Sequence, residues 1–592
     1  MAKKLPEVDV VVVGLGWTGG ILAKELSEAG MKVVALERGV QRHTDPDFSV
    51  PMIRDELRYA VRHEMMQNTA RDTITFRNRP TEPALPMRQL GSFLPGEGVG
   101  GAGVHWNGIT WRWNEIDHAL HSHYQQHYGR SFIPKDMPLQ DWGVSYAELE
   151  PYYDKFERTA GVSGKAGNLR GELQPGGNIF EAPRERDYPL PPLEPAYGQL
   201  LFHEAAQQAG YHPFPRPTAN ASRAYTNPDG AKLGACAYCG HCERFGCEAN
   251  AKGSPHITVI PAALASPNFE LRTRAWVTKI MLDSHKRKAT GVLYTDLATG
   301  EEYEQPASIV ALCAFAINNV HMLLLSGIGK PYDPATQHGV VGKNYCYQPG
   351  GGRGTGVNLF FEDKIFNPFM ATGGFGMVVD DFHANASFDR GPVGAVGGAT
   401  INSAHSHGRP ITYRPVPPDV PRWGAAWKKA TAQWYLRSMT VTVTSSNMPN
   451  RYNYYDLDPT YTNAFGQPLL RMTFNFVEND RKLAAFAGEQ TARIARLLNP
   501  THMSALQSLG DYSLVPYQST HNTGGAVMGS SPHDSVVNKY LQSWDVSNVF
   551  VLGASALPHN SAYHPTGPVG ALAYWAADAI KNRYRKRPGP LV

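Results

Sequence analysis

The beginning of the chain contains two short apolar runs separated by an amphipathic segment. Residues 8–13 are valine at every position but one, which predicts a strand buried on both faces of a parallel sheet. Leu22 and Leu26 stand four positions apart, so residues 21–29 are predicted to form a helix with one apolar face. A second strand is predicted at residues 33–36. The chain is therefore expected to begin with a strand, a helix and a strand of an α/β sheet.

Later segments predict two further groups of elements. Strands that rejoin the first sheet are expected at residues 269–279, 290–295 and 308–312. Between residues 350 and 475, glycine-rich segments alternate with β-rich runs such as residues 439–444, where threonine and valine alternate. This pattern predicts a mostly antiparallel second domain, which we expect to bind the substrate. Helices are predicted at residues 479–498, capped near Asn479, and at about 569–583.

The composition excludes several classes of protein. With 42% hydrophobic and 18% charged residues, the 592-residue chain is typical of folded globular proteins rather than disordered or fibrous ones. Its formal net charge of +4 is too small for the electrostatic field of a nucleic-acid-binding protein. No apolar run reaches the roughly 18 residues of a membrane-spanning helix, and the N-terminus does not read as a signal peptide. We therefore expect no nucleic-acid partner, no membrane span and no leader.

Three glycines, Gly14, Gly16 and Gly19, connect the first predicted strand to the first predicted helix. Each has a mechanical role in this position: a tight turn, close approach of the backbone to a pyrophosphate, and close packing of the helix. The helix N-terminus adds N–H donors and the positive end of a dipole. Glu37 ends the second strand, where its carboxylate can accept a hydrogen bond from a ribose hydroxyl. This unit predicts a dinucleotide-binding site but does not distinguish FAD from NAD.

Four of the six cysteines fall within twelve consecutive positions: Cys236, Cys239, Cys242 and Cys247. Thiolates this close together can bind one inorganic centre. The short gaps favour the turn that wraps an iron–sulfur cluster, because structural zinc sites more often use two cysteine pairs separated by a longer loop. The last gap, and Glu248 after it, differ from the ferredoxin pattern, so three or four thiolates could bind a three-iron or four-iron cluster. Zinc, disulfides and free thiols are the alternatives.

Two distant segments, together with the N-terminus, resemble the glucose-methanol-choline (GMC) family of FAD oxidoreductases. The first, residues 96–107, is rich in glycine, and the second runs from residue 549 to residue 580. The resemblance implies FAD as the cofactor. It implies an α/β fold, with a Rossmann-like FAD-binding domain and a second, largely antiparallel β-sheet substrate domain. It also implies a flavin site that includes Gly100, Gly101, His105, Asn107, Gly553 and Ala554.

The domain boundaries are expected to be discontinuous in sequence. The FAD-binding domain is predicted to comprise residues 1–45, 90–115, 220–346 and 520–592, with the cysteine segment at 234–250. The substrate domain is predicted to comprise residues 116–219 and 347–519.

The resemblance places a catalytic pair on His521 and His564. Oxidising an alcohol needs a base for the hydroxyl proton and an acceptor for the hydride, and imidazole titrates near neutral pH. We therefore expect His521 to be the general base and His564 to bind the substrate oxygen and orient the C–H bond toward the flavin. Residue type alone would not select these two from 22 histidines, and His533 and His559 are the nearest alternatives.

His105 stands where some members of the family carry a histidine that is joined covalently to the flavin. The resemblance leaves two interpretations open, a covalent histidyl-FAD and a histidine that only packs beside the ring. Release of FAD on denaturation in acid would exclude the covalent bond.

The cysteine segment narrows the resemblance to the flavoprotein subunits of bacterial membrane-bound dehydrogenases for gluconate, 2-ketogluconate, glucose, sorbitol and fructose. This implies oxidation of a secondary alcohol of a sugar acid or polyol, with D-gluconate to 2-dehydro-D-gluconate as the best match. Electrons would pass from the flavin through the cluster to a multihaem cytochrome c subunit, and a small subunit would carry a twin-arginine export signal. The complex would lie at the periplasmic face of the inner membrane, with a cytoplasmic location as the alternative.

Two other functions compete with this interpretation. An oxidase of the same fold, with a structural zinc site at the cysteines, would reduce oxygen and need no cytochrome. A nucleotide-binding partner subunit would have no catalysis of its own.

Overall fold

The computed structural model of the protein describes residues 2–48, 65–88, 93–349, 356–404, 414–515 and 519–591. Within these residues the strands form three larger sheets and three two-stranded pairs. None of the described helices is both long enough and apolar enough to cross a membrane.

The first sheet joins the N-terminal strands to strands from much later in the chain. Val8–Val13 lies at its centre and pairs in parallel with Val33–Leu36 on one side and Glu302–Leu312 on the other. Its valines from Val10 to Val12 are completely buried, as the apolar run predicts. The strands of this sheet are Lys3–Lys4, Val8–Val13, Val33–Leu36, Phe269–Arg272, Ala275–Leu282, Ala289–Asp296, Glu302–Leu312 and Val549–Val551.

The prediction of a single strand at residues 269–279 is wrong, because the structure has two strands there. Arg274 adopts a left-handed backbone conformation with a φ of 56° and separates Phe269–Arg272 from Ala275–Leu282. The first part pairs in parallel with Val33–Leu36, whereas the second pairs antiparallel with Ala289–Asp296. The prediction that this region rejoins the first sheet is confirmed.

The first helix, Trp17–Glu28, begins at Trp17 rather than at the predicted residue 21. The sequence does not predict a helix at residues 17–20, because Gly19 and Gly20 lie there and glycine is a poor helix former. Packing explains both glycines: a Cβ on Gly19 would lie 2.1 Å from the Gly14 carbonyl oxygen, and one on Gly20 would lie 2.8 Å from Val259 Cγ2. The other described α-helices are Glu115–His118, Leu120–Tyr128, Tyr146–Ala160, Tyr197–Gln208, Val259–Leu264, Ala316–Ser326, Gly424–Trp434, Glu478–Leu497 and Thr566–Ala579, the last continued by the wider turn Ile580–Tyr584.

The second sheet is antiparallel throughout, which confirms the pattern predicted for this region. In its strand Ser438–Ser445, the side chains of Met439, Val441 and Val443 are buried in a core shared with the helices Tyr197–Gln208 and Glu478–Leu497. The threonines between them are only partly buried, because successive side chains of a strand point to opposite faces. In spatial order the strands are His502–Met503, Val357–Phe360, Ser438–Ser445, Ala399–Ala404, Met377–Phe382 and Phe214–Pro215.

The helix Glu478–Leu497 matches its prediction except at the cap. The side chain of Asn479 does not cap the helix, because it accepts a hydrogen bond from the N–H of Val396 at 2.8 Å. Asp480 instead accepts a hydrogen bond from the N–H of Val477 at 2.8 Å, across the first turn.

The third sheet comprises Tyr454–Thr462, Pro468–Thr473, Ile74–Arg77 and Leu85–Pro86. The two-stranded pairs are Asn168–Leu169 with Glu172–Leu173, Tyr225–Thr226 with Lys232–Leu233, and Cys346–Tyr347 with Asn522–Thr523. The domain boundaries given above stay a prediction.

Candidate active site

A cavity of about 770 Å³ lies between the first and second sheets. Val13 and Leu36, at the carboxyl ends of two parallel strands, line it on one side, and this is the edge at which open α/β sheets bind ligands. Thr440, Thr442 and Thr444 of the second sheet line it on the other. The cavity is therefore bounded by a nucleotide-binding edge and a wall of hydroxyl groups.

The glycine turn before the first helix lies at the nucleotide-binding edge. Gly14 has a φ of 89°, and a Cβ on it would lie 3.1 Å from the backbone of Ala314. Gly16 lines the cavity and has room around it, whereas Gly19 packs against Gly14 and does not line it. The turn at Gly14 and the close packing of Gly19 agree with the roles predicted for them, whereas the approach to a pyrophosphate stays a prediction. Trp17 and Thr18, at the helix N-terminus, line the cavity.

Glu37 is buried at the end of the strand Val33–Leu36 and lines the same cavity. Its carboxylate accepts N–H groups from Leu15 at 3.0 Å, Gly39 at 2.9 Å and Gly98 at 3.2 Å. Burial raises the pKa of Glu37, and these N–H groups act in the opposite direction. The carboxylate thus holds the glycine turn in place at the wall of the cavity, and its bond to a ribose hydroxyl stays a prediction.

The two segments assigned to the flavin come together at this cavity. Gly101, His105, Asn107, Gly553 and Ala554 line it. Gly100 does not, but its N–H donates to the Leu15 carbonyl at 2.8 Å and joins the two glycine-rich turns. His105 is buried, so the structure places it where either interpretation of its role requires it, and the covalent bond stays a prediction. Together with Glu37, the turns form a donor and acceptor set that fits FAD.

The two predicted histidines lie next to each other, and both line the cavity. The rings of His521 and His564 have centroids 4.5 Å apart and are inclined by 70°. Nδ1 of His521 lies 2.6 Å from Oε1 of Gln348. The amide nitrogen of Gln348 contacts the carbonyl oxygens of Ser561 and, at 3.0 Å, Tyr563. Carbonyls only accept hydrogen bonds, so Oε1 of Gln348 must face His521 and accept from an Nδ1–H. In the neutral imidazole, Nε2 of His521 is then the unprotonated nitrogen.

The environment of the pair keeps both imidazoles neutral. Burial lowers the pKa of His521 to about 4, while the charge of Glu243 acts in the opposite direction. Burial also lowers the pKa of His564, and the nearby His521 and Arg216 lower it further. A neutral His521 with a free Nε2 can accept a proton at neutral pH, which is the state that a general base needs.

The alternative histidines lie elsewhere. His559 is buried 3.5 Å from Asp117 and does not line the cavity, and His533 is exposed. His383 also contacts Asp117, at 3.3 Å. The structure therefore brings together the pair that the flanking motifs select and separates it from its neighbours in sequence.

The cysteine segment lies beside the flavin segment. The Lys252 ammonium is buried beneath it and donates to the carbonyls of Trp106 at 2.6 Å, Cys242 at 2.8 Å and Phe245 at 2.7 Å. None of the four clustered cysteines forms a disulfide, and burial raises the pKa of Cys242 to about 12. Cys236 Sγ lies 3.1 Å from the Thr372 hydroxyl, and Cys242 Sγ accepts the Gly373 N–H at 3.3 Å.

This arrangement does not form the ligand set expected from the cysteine spacing. Across the described ranges, no group of three or more histidine, cysteine, aspartate or glutamate side chains is close enough to hold a metal ion. Two of the thiols are turned onto residues 372–373 instead. The spacing therefore predicts a cluster that these side-chain positions do not fit, and we assign it no step in the reaction.

Comparison with known proteins identifies the family. Over its whole length the chain is 46% identical to the gluconate 2-dehydrogenase flavoprotein of Pantoea cypripedii, of which it covers 96%. The chain belongs to the GMC oxidoreductase family. Two sequence patterns of this family, each described as GMC oxidoreductase, match residues 198–350 and 449–573. The resemblance inferred from the sequence is confirmed, and membership implies an FAD-dependent oxidoreductase.

More distant relatives match over nearly the same length. The chain is 28% identical to the 2-methyl-1,2-propanediol dehydrogenase of Mycolicibacterium austroafricanum, covering 99% of this chain and 97% of that protein. It is 25% identical to the fructose dehydrogenase large subunit of Gluconobacter japonicus, covering 98% and 99%. The solved structure of pyridoxine 4-oxidase from Mesorbium loti matches with a TM-score of 0.62 at 15% identity, covering 98% of this chain and 100% of that one. This structural likeness confirms the predicted fold class.

Proposed function

We propose that the chain is the flavoprotein of a dehydrogenase that oxidises D-gluconate to 2-dehydro-D-gluconate. The observation that carries the proposal is the neutral His521, whose tautomer is fixed by Gln348 and whose ring faces His564 in a cavity fitted to FAD. The relative from Pantoea, whose name is gluconate 2-dehydrogenase flavoprotein, supports the choice of substrate.

The residues of this chain have separate tasks in that reaction. Nε2 of His521 takes the proton from the substrate hydroxyl, while Nδ1–H stays bonded to Gln348. His564 holds the same oxygen, and Thr440, Thr442 and Thr444 offer hydrogen bonds to the other hydroxyls of a polyol chain. FAD, when bound, supplies an acceptor for the hydride that leaves the alcohol carbon.

A substrate panel tests the proposal. Gluconate, 2-ketogluconate, glucose, sorbitol and fructose are each supplied to the FAD-loaded protein with an artificial electron acceptor in the absence of oxygen. We expect gluconate to be oxidised fastest and 2-dehydro-D-gluconate to be the product. Faster turnover of glucose would contradict the substrate, and rapid formation of peroxide in air would favour the oxidase alternative.

We also propose partner subunits, namely a small subunit with a twin-arginine export signal and a multihaem cytochrome c that accepts the electrons. The name of the Gluconobacter relative, a large subunit, supports an assembly of several chains. Export together with the small subunit would place the complex at the periplasmic face of the inner membrane.

An iron–sulfur cluster of three or four irons on Cys236, Cys239, Cys242 and Cys247 remains part of the proposal, supported by their spacing and by the fact that none of them is in a disulfide. Ligation would require Cys236 and Cys242 to leave Thr372 and Gly373. We expect anaerobically purified protein to contain iron and acid-labile sulfide, and replacement of Cys239 by serine to lower both. Zinc without sulfide would support the structural zinc site and overturn the cluster.

A further inference from the structure

One buried arginine, Arg216, lies on the wall of the cavity. Arg216 follows the edge strand Phe214–Pro215 of the second sheet, is 8% exposed and lines the cavity. Its Nε donates to the Gly374 carbonyl at 3.1 Å, and its terminal nitrogens donate to Asn402 Oδ1 at 3.1 Å and the Phe375 carbonyl at 3.4 Å. All three acceptors are neutral.

The charge of Arg216 is not balanced by a carboxylate. Buried Arg112 and Arg184 share Glu157, at 2.8 Å and 2.5 Å, but among the described residues no carboxylate lies within 4 Å of Arg216. Burial lowers the pKa of Arg216 to about 10, so it stays protonated at neutral pH. A buried charge without a counter-charge is costly, and a bound anion would remove much of that cost.

The acidic residues that line the cavity have other contacts. Glu37 accepts backbone N–H groups, Asp72 lies 3.8 Å from Arg38, and Glu243 lies 3.0 Å from Arg244. The positive charge of Arg216 therefore faces the substrate side of the cavity without an acid beside it.

The guanidinium of Arg216 also has N–H groups that these three hydrogen bonds do not use. It carries five N–H groups, and the three hydrogen bonds above use one on each nitrogen. One N–H on each terminal nitrogen remains, which is the number that a carboxylate accepts in a bidentate pair.

Arg216 stands on the same side of the cavity as the histidines. The ring of Trp111 stacks on Tyr563, with centroids 4.5 Å apart, and meets Phe214 edge-on at 6.0 Å. Tyr563 precedes His564 and Phe214 is two residues before Arg216, so one tryptophan joins the two segments. The charge of Arg216 also contributes to the low pKa of His564.

We propose that Arg216 binds the carboxylate of an anionic substrate in which the carboxylate lies close to the carbon being oxidised, as in a 2-hydroxy acid. This inference rests on the proposed function and deepens it. It explains why oxidation occurs at C2 of gluconate, since the carboxylate anchored at Arg216 brings the adjacent hydroxyl to His521 and His564. A neutral sugar leaves Arg216 without a counter-charge.

The test compares D-gluconate with D-gluconamide, which has the same hydroxyls but no charge, in wild-type protein and the Arg216→Gln, Arg216→Lys and Arg390→Gln variants. The readout is the ratio of kcat/KM for gluconate to that for gluconamide, measured on one preparation so that the amount of active enzyme cancels. We expect Arg216→Gln to lower this ratio about 100-fold or more, mainly through the KM for gluconate. The ratio for Arg216→Lys should lie between those of Arg216→Gln and the wild type, because lysine keeps the positive charge but lacks the paired N–H donors of a guanidinium.

Arg390 is the matched control, because it is buried, donates only to backbone carbonyls and does not line the cavity. Arg390→Gln should leave the ratio unchanged. Should Arg216→Gln fail to fold, inhibition of the wild-type protein by 2-deoxy-D-gluconate and by its amide decides: at least tenfold tighter inhibition by the acid supports the proposal, and equal inhibition overturns it.

Different results would show that the role of Arg216 is wrong and that the proposed function is wrong. Gluconate oxidation by the wild type, with the same ratio in Arg216→Gln, overturns the role of Arg216 and leaves the function standing. A wild-type protein that binds FAD but oxidises neither compound overturns the function and the role of Arg216 with it.

Discussion

Replacing His521 with glutamine is expected to lower kcat for gluconate by about 10³-fold, within the range of a lost general base. Glutamine keeps a polar side chain of similar length but cannot take a proton from the substrate. His521 is held by Gln348 and lies outside the glycine turns, so FAD should remain bound at the wild-type stoichiometry. Steady-state turnover and the flavin spectrum of the same preparation measure both quantities.

The pH profile gives a second readout of the same residue. Burial lowers the pKa of His521 to about 4, so the base is lost only as pH falls toward that value, well below the usual range of histidine. We therefore expect kcat/KM of the wild type to hold through pH 6 and to decline nearer pH 4 to 5, and the residual activity of His521→Gln to lack this decline.

His533 supplies the matched control, because it is an exposed histidine in the same part of the chain. His533→Gln should leave turnover and pH profile unchanged. If His521→Gln instead turns over at the wild-type rate, His521 is not the base.

The parts of this site that the sequence predicts are those encoded within short segments. The glycine turn and Glu37 follow from their order around a strand and a helix, and His521 and His564 follow from their flanking motifs. The alternation of threonine and valine in residues 439–444 predicts a strand of an antiparallel sheet, and the structure then shows the threonines lining the cavity.

The parts that the sequence does not predict depend on contacts between distant segments. Gln348 acquires its role only because the fold places it against His521, 173 positions away. Arg216 resembles any other arginine until the structure shows that no carboxylate among the described residues pairs with it. The thiol spacing likewise gives no information on where each Sγ points, and two of the thiols point to residues 372–373.

Replacing Gly19 with alanine is expected to weaken FAD binding, although Gly19 does not line the cavity. Its Cβ would lie 2.1 Å from the Gly14 carbonyl oxygen, which belongs to the backbone of the turn and cannot rotate away as a side chain can. Helix and turn must therefore separate, and the N–H of Leu15 moves away from Glu37. Overpacking of this kind costs about 1–3 kcal/mol or more, so the affinity for FAD should fall about 100-fold.

Gly488→Ala makes the same substitution inside the helix Glu478–Leu497, where the added Cβ would meet Leu506 at an ordinary 3.5 Å. Alanine favours the helix there, so this variant should retain its flavin and unfold at the same temperature as the wild type or slightly higher. Flavin absorbance relative to protein after desalting, with far-UV circular dichroism as the check on folding, compares the two variants. Full flavin content in a folded Gly19→Ala would mean that the cofactor does not depend on this turn, and the placement of FAD at the edge of the first sheet would be wrong.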